Sequence, residues 1–382
     1  MYNNYILDLS SLPKELRLLL EIMKTDEHNI IGSVKKELYV DIDWEVFLQL
    51  ARHHRVYPLV YSKLKNTHDN QIPPHVIQTL YKEYKKNTFQ MLHLSGEMEQ
   101  VSEIFNKNSI RILFLKGPII AQELYGDISL RTSKDIDILI SMTDIKKAEK
   151  ILLNCGYEKE ESPNILNEWK WRTHHISYYH SQKQIQIEIH WRLNPFPSKE
   201  PSFEKLWERK RTSNLTTYPV YLLGEEDLFL YLITHGARHG WFRLRWLIDI
   251  DQMVLKGLRE KQIISSLKKY KYHRIVGQAL ILTSQLLNTP VNSELKKLTI
   301  DNYSEKLAQK SILFISEKSQ FEYPKDYMDL LKTNWQKFIS LIMRIYPRYI
   351  DANTLKLPLP LHFLYFPLRP FLWVWRKTRK ST

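Results

Sequence analysis

Glycine and cysteine are scarce in this chain. Its 382 residues include only 10 glycines, and no stretch reads G-x-G-x-x-G or G-x-x-x-x-G-K-[ST]. Dinucleotide-binding and P-loop folds need those glycines, because the backbone must turn tightly and approach phosphate closely. Both fold classes are therefore disfavoured. The shortage does not indicate disorder, since 43% of the residues are hydrophobic and 12% are aromatic, which is enough for a large core.

The single cysteine, Cys155, excludes an intrachain disulfide, cysteine-based zinc sites and iron–sulfur clusters. Residues 1–10 contain no basic segment followed by an apolar one, so no secretory signal is recognised. Residues 357–375 are apolar, but four prolines interrupt them and argue against a membrane-spanning helix. We expect a cytoplasmic protein without a transmembrane segment, with attachment to the periphery of a membrane as an alternative.

Changes of pattern along the chain predict four segments. They are a helical N-terminal region (1–108), an α/β core (109–222), a helical C-terminal domain (223–345) and a basic tail rich in proline and aromatic residues (346–382). Short β-branched runs mark the second segment, whereas apolar residues recur at helical spacing on both sides of it. The predicted fold class is α+β, with a small mixed sheet flanked by helical regions.

Two carboxylates lie at i and i+2 in a strand-like run, Asp135-Ile136-Asp137-Ile138-Leu139. Side chains alternate along a strand, so Asp135 and Asp137 project from one face while the isoleucines enter the core. Close carboxylates repel each other unless a cation lies between them, and Mg²⁺ is typically held by carboxylates together with substrate phosphates. The motif favours phosphoryl chemistry, although such pairs also occur on solvent-facing strands.

A second strand-like run, residues 184–190, alternates polar and apolar residues and carries Glu188. If this strand pairs beside the first with its polar face towards the same cleft, Glu188 becomes a third carboxylate. Three carboxylates can hold two metal ions, which stabilise the attacking and leaving oxygens at phosphorus. The alternative is an edge strand whose glutamate is merely solvated.

Upstream, a strand-like run ends at Lys116, Gly117 and Pro118 and is followed by a helical run. Gly117 would let a triphosphate approach the backbone, and Pro118 suits the first turn of a helix whose free N–H groups attract anions. Arg131 lies four residues before Asp135 and could pair with phosphate through its planar guanidinium. The alternative is an ordinary surface arginine.

Several short motifs follow one another in a particular order: Leu115-Lys116-Gly117, Leu124-Tyr125, Arg131, Asp135-Ile136-Asp137-Ile138-Leu139 and Ile187-Glu188-Ile189-His190-Trp191-Arg192-Leu193. This order resembles the nucleotidyltransferases of the polymerase-beta superfamily. More closely, the chain is similar to a bacterial group described only as uncharacterised nucleotidyltransferases, some of which accompany genes for peptide natural products. The similarity covers roughly Trp44 to Asp251, including His53-His54, His235, His239 and Trp246-Leu247-Ile248-Asp249.

The resemblance implies a polymerase-beta-like core and a metal-dependent transfer of NMP from an NTP, with release of pyrophosphate. The acceptor would be a hydroxyl or phosphate group on a small molecule or a modified peptide. The resemblance also implies that Asp135 and Asp137 bind two Mg²⁺ ions and that Glu188 binds the catalytic one. Mn²⁺ is a second candidate for the metal.

The phosphate-binding turn departs from the superfamily pattern. Its usual Gly-Ser is here Lys116-Gly117-Pro118, without the serine that contacts phosphate. We therefore expect Gly117 to hold the triphosphate with the help of Lys116 and Arg131. Two other functions fit the same residues: a toxin-like nucleotidyltransferase that acts on tRNA, and a catalytically degenerate module that binds RNA or another polyanion.

His235 and His239 lie four residues apart in a helical run, a spacing that can bind zinc. No glutamate follows the first histidine in an H-E-x-x-H arrangement. Lining of the cleft, or packing within the helical domain, is therefore the favoured interpretation.

Charge is distributed unevenly along the chain. The 56 lysines and arginines exceed the 42 aspartates and glutamates by 14. Residues 332–382 alone carry ten basic residues and one acidic residue, Asp351, a surplus of nine. An anionic membrane surface, nucleic acid or a polyanionic substrate would each suit this tail, and so would solvent alone.

Overall fold

A computed structural model describes residues 5–24, 36–66, 71–160, 165–167, 169–317 and 324–379, and for residues 36, 171 and 172 the backbone alone. The N-terminal region consists of α1 (Lys14–Lys24), a 3-10 turn (Lys36–Tyr39), α2 (Trp44–His53), α3 (Tyr57–Leu64) and α4 (Pro74–Lys107). The carboxylate of Asp43 accepts hydrogen bonds from the N–H groups of Glu45 and Val46 and so begins α2. Proline lies in the first turn of α3 and of α4. The predicted helical periodicity is confirmed here.

The next segment contains a seven-stranded mixed sheet. Its strands are β1 (Leu113–Phe114), β2 (Asp135–Leu139), β3 (Glu158–Lys159), β4 (His175–His180), β5 (Ile185–His190), β6 (Arg211–Ser213) and β7 (Val220–Leu222), in the order β3-β4-β5-β2-β1-β7-β6. The intervening helices are α5 (Pro118–Tyr125), α6 (Ile145–Asn154), α7 (Trp169–Arg172) and α8 (Phe203–Glu208). β2 is parallel to β5 and β1 to β7, and the other neighbouring pairs are antiparallel. The predicted mixed α and β architecture is confirmed.

The register of β2 and β5 determines which side chains meet. Asp137 lies opposite Glu188, while Ile136 lies opposite Ile187 and both isoleucines are fully buried. The predicted alternation along both strands is therefore confirmed. β5 has β2 on one side and β4 on the other, so the interpretation of this strand as an edge strand is wrong.

Helices follow the sheet as far as residue 379. They are α9 (Glu225–Arg238), α10 (Leu244–Leu255), α11 (Glu260–Tyr270), α12 (His273–Leu287), α13 (Ser293–Lys296), α14 (Asn302–Ser316), α15 (Lys325–Leu330), α16 (Asn334–Ile342), α17 (Tyr349–Thr354) and α18 (Tyr365–Arg379), with 3-10 turns at Lys297–Ile300 and Leu359–Leu364. The turn after α9 returns Trp241 onto Gly236, where a Cβ atom would lie 2.3 Å from the indole ring. Glycine thus permits the fully buried indole to pack against the helix backbone.

One hydrophobic core joins the first three predicted segments, with members from Leu7 to Tyr327. A separate small cluster joins Tyr365 and Leu372 of the tail to Ile165, which precedes α7. None of the described helices is both long enough and apolar enough to cross a membrane. Residues 380–382, which end the predicted tail, lie outside the described residues.

Candidate active site

A cavity of about 370 Å³ lies beside the polar face of β2 and β5. Its walls come from the N-terminal region, the sheet and the C-terminal helices. Four of the six predicted site residues line it, namely Lys116, Arg131, Asp135 and Glu188. Small-molecule sites in proteins typically enclose roughly 300–1,000 Å³, so the cavity is large enough for a ligand.

Asp137 is fully buried next to this cavity. Nζ of Lys116 lies 2.9 Å from Oδ1 of Asp137, and Nε2 of His190 lies 3.2 Å from the same oxygen. The same nitrogen of His190 is 3.3 Å from Oε2 of Glu188. The parallel register of β2 and β5 produces this arrangement, because it puts both carboxylates on one face of the sheet. The structure thus brings Asp137 and Glu188 together around one imidazole.

The charges in this group stabilise one another. Burial alone would favour the neutral acid, yet Lys116 and His190 hold the pKa of Asp137 well below its usual range. Burial likewise disfavours the charged forms of Lys116 and His190, but the neighbouring carboxylates outweigh it and raise the pKa of both. Asp135 behaves differently, since burial and the charge of Asp137 raise its pKa. The two aspartates of the motif therefore differ in their affinity for protons.

Two groups of described side chains are close enough together to hold a metal ion. The ligand atoms of Asp137, Glu188 and His190 lie within 4.8 Å of one another, and so do those of His174, His175 and His190. Oδ2 of Asp137 is buried without a hydrogen-bond partner, so one oxygen of the predicted ligand set is available to a cation. Carboxylate oxygens suit Mg²⁺ and Mn²⁺. The first group therefore fits a divalent cation.

The other predicted residues lie around this group. Asp135 lines the cavity but belongs to neither group of candidate ligands among the described residues. Gly117 immediately precedes α5 with a φ of 88°, a conformation that a residue with a Cβ atom rarely adopts. The predicted sequence of strand, glycine turn and helix begun by proline is therefore confirmed. The contribution of Gly117 to phosphate binding stays a prediction.

Arg131 forms a two-pronged ion pair with Asp249 of α10. Its Nε donates to Oδ1 at 2.9 Å and its Nη2 donates to Oδ2 at 3.0 Å, while the hydroxyl of Tyr125 donates to Oδ1 at 2.8 Å. Arg131 is only 1% exposed, so its interpretation as a surface arginine is wrong. Nη1 of Arg131 is buried without a hydrogen-bond partner, and the residue lines the cavity. One nitrogen of an anchored guanidinium thus remains for a ligand.

Further arginines, which are not among the predicted site residues, also line the cavity: Arg55, Arg238, Arg243 and Arg245. Burial lowers the pKa of Arg55 and Arg238, and burial together with nearby Arg131 and Arg55 lowers that of Arg245 well below its usual value. Within the described ranges, no carboxylate lies at ion-pair distance from Arg55, Arg238 or Arg245. The cavity therefore holds more positive charge than its own carboxylates balance, a condition that an anionic ligand relieves.

Neutral histidines surround Arg238. Its guanidinium donates to Nε2 of His174 at 3.4 Å and to Nδ1 of His235 at 3.3 Å. Burial, followed by neighbouring positive groups, lowers the pKa of both histidines and sets that of His239 at about 3. His235 and His239 line the cavity and pack against Trp246, and neither belongs to a group of three candidate metal ligands among the described residues. The two histidines therefore form part of the cavity wall in this structure.

Residues 40–288 match the sequence profile of a family described as uncharacterised nucleotidyltransferases. The chain belongs to this family. The matched range contains every residue that lines the cavity and ends shortly after α12. The site is thus part of the nucleotidyltransferase region, whereas the basic tail lies outside it.

Among solved structures, this chain is similar to an antigenic nucleotidyltransferase-like protein from Paracoccidioides brasiliensis. The two chains are 13% identical over 53% of this chain and 95% of that one, with a TM-score of 0.31. No curated protein matches the chain.

Proposed function

We propose that this chain transfers NMP from an NTP to a hydroxyl or phosphate group of an acceptor and releases pyrophosphate. One observation carries the proposal: the carboxylates of β2 and β5 share a cavity with an excess of buried cations. Carboxylates alone would repel a triphosphate, and arginines alone would bind it without activating it. Their meeting in one cavity suits phosphoryl-type chemistry on a bound NTP.

Asp137 and Glu188 would hold a divalent cation, Mg²⁺ or Mn²⁺, with Asp135 on the same face of β2. When bound, such a cation supplies positive charge to the triphosphate oxygens and orients them. Lys116 and Nη1 of Arg131 would contact phosphate oxygens and neutralise the charge that develops on pyrophosphate. Glu188 would also orient the acceptor group and take up its proton.

The chain order supports a polymerase-beta-type core as part of this proposal. β1, the turn at Gly117, α5 and the acidic strand β2 follow one another, and β5 lies parallel beside β2 with Glu188 in register. The serine expected after the glycine is absent, and the arginines of the cavity wall offer a substitute for its phosphate contact.

A second cavity supports an acceptor that has an apolar part. It encloses about 170 Å³ and shares Pro195 and Arg238 with the first cavity. The other residues that line it include Phe196, Ile275 and Leu331. An acceptor whose reactive group reaches Arg238 would leave its apolar portion in this space.

The test is transfer of label from each of the four α-labelled NTPs, with Mg²⁺ or Mn²⁺, to small molecules, cell extract and RNA. Mass analysis of the product identifies both donor and acceptor. The Asp135→Ala/Asp137→Ala variant should lose transfer. The control Glu208→Ala changes an exposed carboxylate that does not line the cavity, and it should retain transfer. Equal incorporation by the wild type and the double variant would refute the proposal. RNA binding without any transfer would favour the degenerate, polyanion-binding function instead.

A further inference from the structure

The C-terminal segment, residues 334–379, is held in a defined shape by its own small cluster. Tyr365 and Leu372 of α18 pack with Ile165, which precedes α7. The hydroxyl of Tyr365 donates to the carbonyl of Leu355 at 2.7 Å and accepts from the N–H group of Leu357 at 3.0 Å. The segment is therefore a folded surface element that is attached to the rest of the chain at Ile165.

The only acidic residue of this segment is turned inwards. Asp351 is fully buried, forms ion pairs with Arg369 at 2.6 Å and Arg376 at 2.7 Å, and accepts from the N–H group of Arg348 at 2.8 Å. Other basic residues of the segment are exposed, among them Lys377. The outer surface of residues 334–379 consequently carries positive charge without any carboxylate.

This positively charged surface is also apolar. No residue of α16 is buried, and Trp335 is 58% exposed at its start. Leu359 is 81% exposed and Phe371 is 72% exposed. A short helix normally gains its stability by burying an apolar face, and in α16 every apolar residue except Ile339 is exposed. Apolar exposure on this scale marks an interaction surface.

The arrangement of α18 separates its two faces. Tyr365, Arg369, Leu372 and Arg376 recur at helical spacing and face the small cluster and Asp351. The remaining face exposes aromatic side chains with cations over them: Nζ of Lys377 lies 4.4 Å from the ring centre of Trp373, and the guanidinium of Arg379 lies 5.2 Å from that of Trp375. Indole rings beside basic groups are typical of helices that lie in the interface of a bilayer.

We propose that residues 334–379 form a membrane-docking surface, which lies on an anionic phospholipid bilayer without crossing it. The absence of exposed carboxylates favours an anionic partner. Exposed aliphatic side chains such as Leu341 and Ile345 favour lipid over nucleic acid, because they offer neither base stacking nor hydrogen bonds. A second copy of the chain is disfavoured, since two surfaces of the same charge repel each other.

Vesicle co-sedimentation of the full chain tests the proposal. Vesicles of phosphatidylcholine and phosphatidylserine at about 2:1 should bind the protein, and phosphatidylcholine alone should bind it at least about tenfold more weakly. Trp335→Ser/Phe371→Ser removes apolar contacts and Lys377→Glu/Arg379→Glu reverses charge, so each should weaken binding to the mixed vesicles by about tenfold or more. Phe89→Ser and Lys82→Glu change exposed residues of α4 and should bind as the wild type does.

Absence of wild-type binding to the mixed vesicles, or equal binding by all variants, would overturn the proposal. Two other results would also overturn it if the protein does not bind the mixed vesicles. One is binding of a single-stranded RNA that the same substitutions abolish. The other is a dimer in sedimentation velocity that the same substitutions dissociate. Nucleotidyl transfer by the tail variants without vesicles should equal that of the wild type, because none of the substituted residues lines the cavity. Failure of membrane binding is therefore distinguishable from failure of the proposed catalytic function.

Discussion

Lys116 and Asp137 form an ion pair of 2.9 Å in which the carboxylate is fully buried. Bulk water cannot stabilise the charge of Asp137 there, so the ammonium group and the adjoining imidazole of His190 must do so. The strand alternation that brings Asp137 inwards thus also creates a need for positive charge. Either a metal ion or the ammonium group of Lys116 can supply that positive charge.

Removing this lysine should therefore destabilise the protein. Lys116→Met retains most of the side-chain volume but leaves Asp137 with one fewer positive neighbour, and we expect a loss of about 3–5 kcal/mol in the free energy of unfolding. Urea denaturation measures it, and millimolar Mn²⁺ or Mg²⁺ should restore part of the loss. Lys82→Met, on the exposed face of α4, is the control. An unchanged unfolding midpoint for Lys116→Met would show that the pair contributes little.

The pairing of Arg131 with Asp249 predicts that arginine and lysine are not interchangeable at residue 131. Arg131→Lys keeps the charge but loses one of the two parallel hydrogen bonds, at a cost of about 1.5–3 kcal/mol in stability. The KM for NTP should rise as well, because the nitrogen left for a ligand is lost. Chemical denaturation and NTP titration measure the two effects. A lysine variant as stable as the wild type would contradict the two-pronged geometry.

Gly236 should tolerate no side chain. Gly236→Ala would place a Cβ atom 2.3 Å from the indole of Trp241, and relief of the clash should cost about 1–3 kcal/mol. Gly96→Ala is the matched control, because nothing lies within 4 Å of the added atom and alanine favours a helix by up to about 1 kcal/mol. Thermal unfolding of both variants should give shifts of opposite sign. Two shifts of the same sign would refute this account of the packing.

His54 makes stability sensitive to acid. Burial, with repulsion from His53 and Arg243, lowers its pKa to about 3, and its Nδ1 accepts from the N–H group of Leu244 at 3.3 Å. In the unfolded chain the pKa returns to about 6.5, so the unfolded state binds more protons below that pH. Stability contributed by neutral His54 is present above pH 6.5 and declines as the pH falls towards 3.

His54→Gln should flatten this decline. The measurement is the urea midpoint from neutral pH down to about pH 5, where the wild type should lose more stability than the variant. His93→Gln, at an exposed residue of α4, should leave the wild-type slope intact. Identical slopes for the wild type and His54→Gln would remove His54 as a cause of acid sensitivity.

The second cavity predicts a separation between donor and acceptor. Ile275→Trp fills part of that cavity without touching the first one, so the KM for the acceptor found by mass analysis should rise while NTP binding is unchanged. Steady-state kinetics with each substrate varied in turn distinguishes the two effects. If Ile275→Trp lowered the affinity for NTP as much as that for the acceptor, the acceptor would not bind in the second cavity.

Short-range periodicity was sufficient for the acidic strands. Period-two alternation alone predicts that Asp135 and Asp137 share one face of their strand and that Glu188 lies on the polar face of the other. The parallel pairing of β2 with β5 puts these two polar faces on the same side of the sheet. β2 has the bounds of the predicted run, and β5 is one residue shorter than its run, because pairing with β4 begins at Ile185. The glycine turn is also predictable from neighbouring residues alone, since it requires only a strand, a glycine with positive φ and a proline.

Contacts between distant segments were not predictable in this way. Asp249 lies 118 residues after Arg131, and no spacing rule connects an aspartate on one helix with an arginine in a loop. The cavity arginines gave only weak signals: Arg238 stands between the two histidines, and Arg243 and Arg245 flank the start of α10. Their shared function depends on how the C-terminal helices lie over the sheet, which is a property of the whole core.

The buried position of Asp351 has a practical consequence for anyone who isolates this protein. With that carboxylate hidden, the tail exposes only positive charge, so it acts as an anion exchanger and attracts cellular polyanions at low salt during purification. Polyanions that are lost with the Lys377→Glu/Arg379→Glu substitutions are bound by residues 334–379 and not by the cavity. Acceptor screens become interpretable when the full chain is compared with Lys377→Glu/Arg379→Glu, whose cavity is intact.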